Sequence, residues 1–327
     1  MIKLLKIHGS ENTFFILDVT QFSKKPTLNE ISALTVALKQ SDYKNLNNID
    51  GILVVDKSDH ADCLGKMTVV NADGSIASMC GNGLRTVSRY LANKYGQTKF
   101  KVETRDADLA VEKYPDLADQ VPSFGVTISP IRFNQQDFPF SNLKTDQIRD
   151  QKVPELDPDL KFTAIAVPNP HLISFVSKAV LKSDKLKDLG TYLNGENPYF
   201  TDGVNVNFAQ IIGPDTLFVR TFERGVGFTN ACGTGMSSTS LAYALNHYQG
   251  DFAKTITVYN PGGMVKVKVT SENGEYHLQL IANATNLGHL NINESDLLNH
   301  DFAKADYQPT DEESAYQKWV TKLQTQA

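Results

Sequence analysis

The chain has 327 residues, room for about two domains at the usual ~150 residues each. Hydrophobic residues make up 41% and charged residues 21%, which excludes a disordered or fibrous chain. With 32 Lys+Arg against 37 Asp+Glu the net charge is −5, so no strong electrostatic footprint for nucleic acid or an anionic membrane is present.

The amino terminus, Met1-Ile2-Lys3-Leu4-Leu5, runs straight into polar sequence without a signal-peptide core, and the longest apolar runs, such as Ile52–Val55, have only strand length. A cytoplasmic chain is expected. Runs rich in Val, Ile, Phe and Thr predict a strand at Phe14–Asp18 and others at Ile52–Asp56, Met67–Asn71 and Phe100–Thr104. Between the first two, Ile31, Leu34 and Leu38 form one stripe of a helix over Leu28–Lys39. Next comes Met79-Cys80-Gly81-Asn82-Gly83 and a helix over Leu84–Lys94, with Leu84, Val87, Leu91 and Tyr95 on one face and Gly96 as its stop.

Patterning fades in the polar, proline-containing stretch between Ser129 and Leu160, where a domain boundary is expected. Strands are predicted again at Thr163–Val167, Leu172–Val176, Val204–Phe208 and Leu217–Phe222. A second glycine-rich stretch, Ala231-Cys232-Gly233-Thr234-Gly235, precedes a helix over Met236–Asn246 that carries Leu241, Leu245 and Tyr248 and meets Gly250 as its stop. Strands at Ile256–Tyr259 and Val265–Val269 follow. The tail from Asn293 to Ala327, with a helix over Asp311–Gln326 holding Trp319, is expected to be a packed or flexible appendage.

Three cysteines cannot all pair within one chain, so each needs its own explanation. Cys63 has the context of a small packing residue. Cys80 and Cys232 share a Cys-Gly-x-Gly-helix context and lie 232 − 80 = 152 residues apart, about one domain length, which points to two homologous halves. A helix start favours the thiolate through its free backbone N–H groups and its dipole, and flanking glycines admit a carboxylate to the same groups. Two such thiols suit proton removal from a carbon on one face and proton return on the other. Metal binding is disfavoured by the absence of Cys-x-x-Cys or paired histidines, and a Cys–His–Asn hydrolase would leave the second cysteine unexplained.

With their flanks these stretches resemble the diaminopimelate epimerase family. The match is carried by Asn71-Ala72-Asp73-Gly74-Ser75 ahead of Cys80, and by Glu223-Arg224-Gly225-Val226-Gly227-Phe228-Thr229-Asn230 ahead of Ala231-Cys232. His8-Gly9, Asn12-Thr13-Phe14, Asp50-Gly51-Ile52-Leu53, Asn169-Pro170-His171, Gly203-Val204-Asn205-Val206 and Pro261-Gly262-Gly263 support it, so that residues 1–290 are covered.

The resemblance implies an α/β (α+β) fold of two pseudo-symmetric domains, each a strand-rich barrel-like sheet around a central helix, with the active site in the interdomain cleft. The expected division is residues 1–130 with Cys80, 131–275 with Cys232, and 276–327 as a return strand plus a C-terminal helical extension. The implied reaction interconverts LL- and meso-diaminopimelate, for lysine and cell-wall precursor, without pyridoxal phosphate, metal or another cofactor. Cys80 and Cys232 would be the acid/base pair, with His171 and Glu223 modulating their protonation. The backbones of Gly81, Asn82, Gly233 and Thr234 would hold the reacting carboxylate, and Arg224 the distal one. Asn71, Asn169 and Asn205 would bind the amino-acid head, and Asn12 and Glu223 the ammonium groups.

Members are often dimers, so a homodimer is expected, with no nucleic-acid or membrane partner. Phe228 stands where the family commonly has Glu, Pro168 where it has Gly, Glu11 and Thr13 where Gly and Asp flank the asparagine, and Gly51 where some members carry Gln. Two alternatives keep the paired cysteines: a racemase of another amino acid, as in proline racemase relatives, and a non-catalytic protein with a reversible disulfide.

Overall fold

A computed structural model describes residues 1–77, 80–138, 140–248 and 253–324. Met79, the helix stop expected at Gln249-Gly250 and the end of the Asp311–Gln326 helix lie outside the described residues. The architecture is the expected strand-rich α/β fold. Contacts divide the chain into two units, Met1–Val126 with Ala282–Thr321, and Thr127–Ile281 with Lys322–Ala327.

In the first unit, strand Ile2–Gly9 pairs antiparallel with Asn12–Asp18 on one side and with Thr285–Ile292 on the other. Asn12–Asp18 runs parallel to Gly51–Asp56, which pairs antiparallel with Cys63–Asn71. The parallel pair needs a crossover, and helix Leu28–Gln40 lies within it. This helix begins at a capping box in which Thr27 and Glu30 satisfy each other's backbone N–H groups. Its stripe Ile31, Leu34 and Leu38 is at most 1% exposed and packs on Phe15, Leu17, Ile52 and Val54.

Helix Gly81–Tyr95 contacts strands Ile2–Gly9, Asn12–Asp18, Gly51–Asp56, Cys63–Asn71 and Asp108–Ala118, so the sheet wraps around it. Leu84, Val87 and Leu91 are buried, and the helix stops at Gly96, whose φ of 69° is left-handed backbone suited to glycine.

The second unit repeats this logic. Pro170–Phe175 pairs parallel with Asn205–Gly213, which pairs antiparallel with Thr216–Glu223. Lys254–Asn260 and Gly263–Glu272 continue the sheet, each antiparallel to its successor. Helix Gly233–His247 contacts strands Asp157–Ala166, Pro170–Phe175, Asn205–Gly213, Thr216–Glu223, Lys254–Asn260 and Gly263–Glu272. Every residue from Gly235 to Leu245 is buried, as expected of a helix enclosed on all sides. Its serine hydroxyls are satisfied within the helix: Ser237 Oγ donates to the Gly233 carbonyl at 2.8 Å, Ser238 Oγ to that of Gly235 at 3.0 Å and Ser240 Oγ to that of Met236 at 2.8 Å, while Thr239 Oγ1 is buried without a partner among the described residues. The helix ends at Tyr248 in extended backbone.

Strands Asp108–Ala118, Val121–Ile128 and Glu275–Asn283 were not among the predicted elements. Asp108–Ala118 alternates buried Leu109 and Val111 with Asp108, Ala110 and Glu112 and contains Pro115, so its apolar signal is thin.

Up to Thr321 the tail is built into the first unit. Helix Glu312–Gln324 buries Tyr316, Trp319 and Val320. Arg89 Nη1 and Nη2 each donate to Glu312 at 2.6 Å, a two-pronged pair, and Glu313 meets His8 Nε2 at 2.9 Å. Trp319→Ala is expected to destabilise the protein by about 3 kcal/mol, the cost of an emptied aromatic site. Urea unfolding measures it; a loss below about 1 kcal/mol would mean that the helix is not part of the folded unit.

Candidate active site

Each of the two cysteines is the N-cap of its helix, in extended backbone with φ −143° and ψ 106° at Cys80 and φ −122° and ψ 104° at Cys232. Cys80 Sγ accepts from the Gly83 N–H at 3.3 Å, and Cys232 Sγ from the Gly235 N–H at 3.4 Å. A thiol in this position replaces the usual Ser, Thr, Asp or Asn cap, and its thiolate is the better acceptor. The N–H groups of the first helical turn, at Gly81-Asn82 and Gly233-Thr234, are those that a helix leaves without intrahelical partners.

In the first unit Asn12 and Asn71 lie on strands that wrap the helix, and Cys80, Gly81 and Asn82 form its start. The Cys80 thiol donates to Asn12 Oδ1 at 3.6 Å, and Asn12 Nδ2 donates to Asp50 Oδ2 at 2.6 Å. Asn71 is held by its turn, its Nδ2 donating to Ser75 Oγ at 2.9 Å. The tight turn before Asn12 uses Ser10 and Glu11 at φ 52° and 67°, without glycine. Side chains hold it instead: the Ser10 N–H donates to Asn283 Oδ1 at 2.9 Å and the Glu11 N–H to His8 Nδ1 at 3.0 Å.

One residue here was not among the expected site residues. Arg85 is fully buried on the first turns of the helix, its Nη2 donating to Asn82 Oδ1 at 2.9 Å and Ser10 Oγ at 3.1 Å. Its Nη1 is buried without a partner among the described residues. No carboxylate pairs with it among the described residues, burial lowers its pKa to about 10, and the Cys80 sulfur is the leading group that favours its charge. Conversely, burial pushes the Cys80 thiol up, while the Gly83 N–H and the Arg85 charge pull it down.

In the second unit the sheet register assembles Asn169, His171, Asn205, Glu223 and Arg224. His171 lies opposite Asn205 in the parallel pair, and its Nε2 is 3.2 Å from Asn169 Oδ1. Asn205 Nδ2 donates to the Pro170 carbonyl at 2.9 Å, and its Oδ1 accepts the Arg224 N–H at 2.9 Å. Asn207, two residues along the same strand face, was missed in the sequence. It is fully buried, 3.1 Å from His171 Nδ1, and its Oδ1 accepts from Thr221 Oγ1 at 2.8 Å.

Burial lowers the pKa of His171 to about 3, with a further push from the Arg224 charge, so its imidazole is neutral. Burial and the nearby Glu223 carboxylate raise Cys232 to about 12, against the Thr234 hydroxyl and the Gly235 N–H. Glu223 Oε1 accepts from Thr229 Oγ1 at 2.5 Å. Arg224 is exposed, with Nη1 on the Asp202 carbonyl at 3.0 Å, and Phe228 stacks edge-on against Phe222 with ring centres 5.4 Å apart.

Gly235 explains the second glycine of the motif. A Cβ there would stand 2.5 Å from Asn207 Oδ1 and 3.2 Å from Cys232 Sγ. Gly235→Ala is therefore expected to cost about 1–3 kcal/mol in urea unfolding and to lower turnover by moving the thiol. Wild-type stability and turnover in this variant would show that the helix start has room to spare.

The two cysteine caps differ in charge. Cys80 has an unpaired cation behind it, Cys232 a carboxylate beside it.

The diaminopimelate epimerase family model matches residues 4–121 and 163–284. The chain is 47% identical to the diaminopimelate epimerase of Ligilactobacillus salivarius over 98% of this chain and 99% of the relative. It is 46% identical to that of Lactiplantibacillus plantarum over 98% of each chain, and 46% identical to that of Enterococcus faecalis over 98% of each. Among solved structures, a methylitaconate-delta-isomerase aligns with a TM-score of 0.60 at 14% identity, over 90% of this chain and 96% of that one. A Bacillus anthracis phenazine biosynthesis protein gives a TM-score of 0.59 at 14% identity, over 89% of this chain and 99% of that one. A probable proline racemase from Agrobacterium radiobacter gives 0.54 at 15% identity, over 90% and 94%. At these identities the structural likenesses concern the fold.

Proposed function

The chain belongs to the diaminopimelate epimerase family, and we propose that it interconverts LL- and meso-2,6-diaminopimelate by moving a proton between one α-carbon and two thiols, Cys80 and Cys232. The reaction would serve lysine and cell-wall precursor supply in a cytoplasmic compartment that keeps the thiols reduced. The observation that carries the proposal is the matched pair of cysteine N-caps, each bound by the third N–H of its helix.

One thiolate takes the α-proton: the C–H bond breaks, an S–H bond forms, and the electron pair is left on the carbon and its carboxylate. The other thiol then gives its proton to the opposite face, and the centre is inverted. The carbanion is costly in water, so its stabilisation rests on helix N-termini aimed at the carboxylate, through Gly81-Asn82 and Gly233-Thr234. Burial raises both thiols, but the Gly83 N–H and the Arg85 charge favour the Cys80 thiolate whereas Glu223 opposes that of Cys232, so Cys80 is assigned the base and Cys232 the acid. Microscopic reversibility exchanges these roles in the reverse direction.

For the rest of the substrate, Arg224 suits the distal carboxylate, Asn71, Asn169 and Asn205 the distal amino-acid head, and Asn12 and Glu223 ammonium groups. Neutral His171 offers a hydrogen-bonding edge without adding charge.

The test is stereochemical. Reduced, chelator-treated enzyme without added cofactor is expected to convert LL-diaminopimelate to a mixture containing the meso isomer, read by chiral chromatography. No conversion of diaminopimelate, together with inversion of proline, would assign the chemistry to a racemase of another substrate.

A further inference from the structure

Cys63 is not the buried packing residue that its sequence context suggests. It is half-buried at the start of strand Cys63–Asn71, where the turn after Asp56 meets the hairpin joining Lys99–Glu103 to Asp108–Ala118. The sulfur, a ring nitrogen of His60 and a carboxylate oxygen of Asp108 lie within 4.8 Å of one another, the one such cluster of three His, Cys, Asp or Glu side chains among the described residues. His60 Nδ1 is 2.8 Å and 2.9 Å from the two Asp108 oxygens. None of the three belongs to the proposed proton-transfer site.

The turn that presents His60 and Cys63 is fixed from beneath. Glu103, 5% exposed, accepts from Ser58 Oγ at 2.6 Å and the Asp59 N–H at 2.9 Å through one oxygen, and meets Lys66 Nζ at 2.7 Å through the other. Ser58 Oγ in turn accepts the His60 N–H at 3.0 Å, and the Cys63 N–H donates to the His60 carbonyl at 3.1 Å. Outer partners of this kind orient ligands before a metal arrives. The neighbouring acids are engaged elsewhere: Asp62 with Lys101 at 2.6 Å and Asp59 with Lys66 at 3.1 Å.

We propose that His60, Cys63 and Asp108 form a three-ligand site for a soft divalent cation of the zinc type, clipping the turn to the hairpin at one end of the first unit. The donor set of imidazole, thiolate and carboxylate fits zinc, with a fourth position left for water. Zinc–ligand bonds imply ligand separations of roughly 3.3–3.8 Å, within reach of small side-chain rotations. In the metal-free state protons occupy the site, on the Cys63 thiol and between His60 and Asp108. Binding exchanges the thiol proton, and the imidazole proton where present, for the cation: an S–H bond is replaced by S–metal, and the protons leave to solvent. With Cys63 and Asp108 anionic and His60 neutral, a divalent ion leaves the ligand set uncharged. Protons therefore compete, and affinity falls as pH is lowered.

The test uses cobalt(II) and zinc(II) with the full-length Cys80→Ala/Cys232→Ala chain, so that the other two thiols contribute nothing. One cobalt per chain is expected, with a sulfur-to-cobalt charge-transfer band and tetrahedral visible bands, both displaced by zinc. Zinc should also raise the melting temperature. Cys63→Ser should abolish the charge-transfer band, and His60→Gln and Asp108→Asn should each weaken binding by more than about tenfold. In the chain with native Cys80 and Cys232, Cys63→Ser should leave epimerase turnover unchanged. The absence of a sulfur-to-cobalt band, its survival in Cys63→Ser, or unaltered affinity in both His60→Gln and Asp108→Asn would overturn the proposal. The last two variants keep the thiol, so they decide the matter even where Cys63→Ser folds poorly.

Discussion

Replacing either Cys80 or Cys232 with alanine is expected to lower turnover by about 10²–10⁴-fold, and the double variant should be little worse than either single one. The first figure follows from the usual contribution of a positioned acid or base. The second follows because two groups that act in one proton relay fail together. Both cysteines are N-caps, so the substitutions also cost about 1 kcal/mol of helix capping each, far too little to unfold the chain. Serine provides the control. It restores the cap through its hydroxyl but is a much weaker acid than a thiol, so Cys80→Ser and Cys232→Ser should recover stability without recovering turnover. Steady-state assays and urea unfolding on the four single variants separate the two effects. A single variant with near wild-type turnover would remove its cysteine from the chemistry.

The second large effect is expected at Arg85. The guanidinium is buried beside Cys80 without a carboxylate, an arrangement that costs stability unless the thiolate supplies the missing negative charge. Arg85→Met keeps the shape and removes the charge. The Cys80 pKa should rise, moving the acid limb of kcat/KM to higher pH. At a fixed pH below that limb, each unit of rise costs tenfold in thiolate, so a loss of at least about tenfold is expected at neutral pH. Turnover should recover as the pH is raised. Arg85→Lys, which keeps a cation, should leave the limb near its wild-type position. Asn82 Oδ1 and Ser10 Oγ lose a donor in the methionine variant, a cost of up to about 3 kcal/mol offset by removal of the buried charge. A uniform loss of rate at every pH, with no movement of the limb, would reduce Arg85 to a packing role.

The caps were legible because cysteine is rare, three in the chain, and the order of glycines around it is informative. Cys-Gly-x-Gly followed by an apolar stripe predicts both a helix start and a thiol upon it, and both helices begin at that glycine. The apolar stripe Leu84, Val87 and Leu91 likewise marked a buried helix. Arg85 was harder to see because a charged residue next to such a stripe ordinarily faces water. Its signal was position, one turn from a thiol on a helix enclosed by strands. Asn207 had a period-two signal, since Asn205 and Asn207 share a face of one strand, but periodicity alone does not say what lies opposite. The His60–Cys63–Asp108 cluster combines two residues of one turn with one from a different hairpin, a meeting set by the parallel pairing of Cys63–Asn71 with Lys99–Glu103. That pairing has no local sequence signature. The tail was read as an appendage, and Trp319 and Tyr316 show why its composition understated it: two buried aromatics suffice to dock a helix.

The central claim is that two thiols exchange the α-proton of one carbon. Incubating the reduced enzyme with LL-diaminopimelate in D₂O and following the α-positions by NMR tests it most directly. Deuterium is predicted to enter the inverted α-carbon as the meso isomer forms, with both Cys80→Ala and Cys232→Ala abolishing net inversion. Inversion without any deuterium in the product, or inversion that persists in either variant, would contradict it.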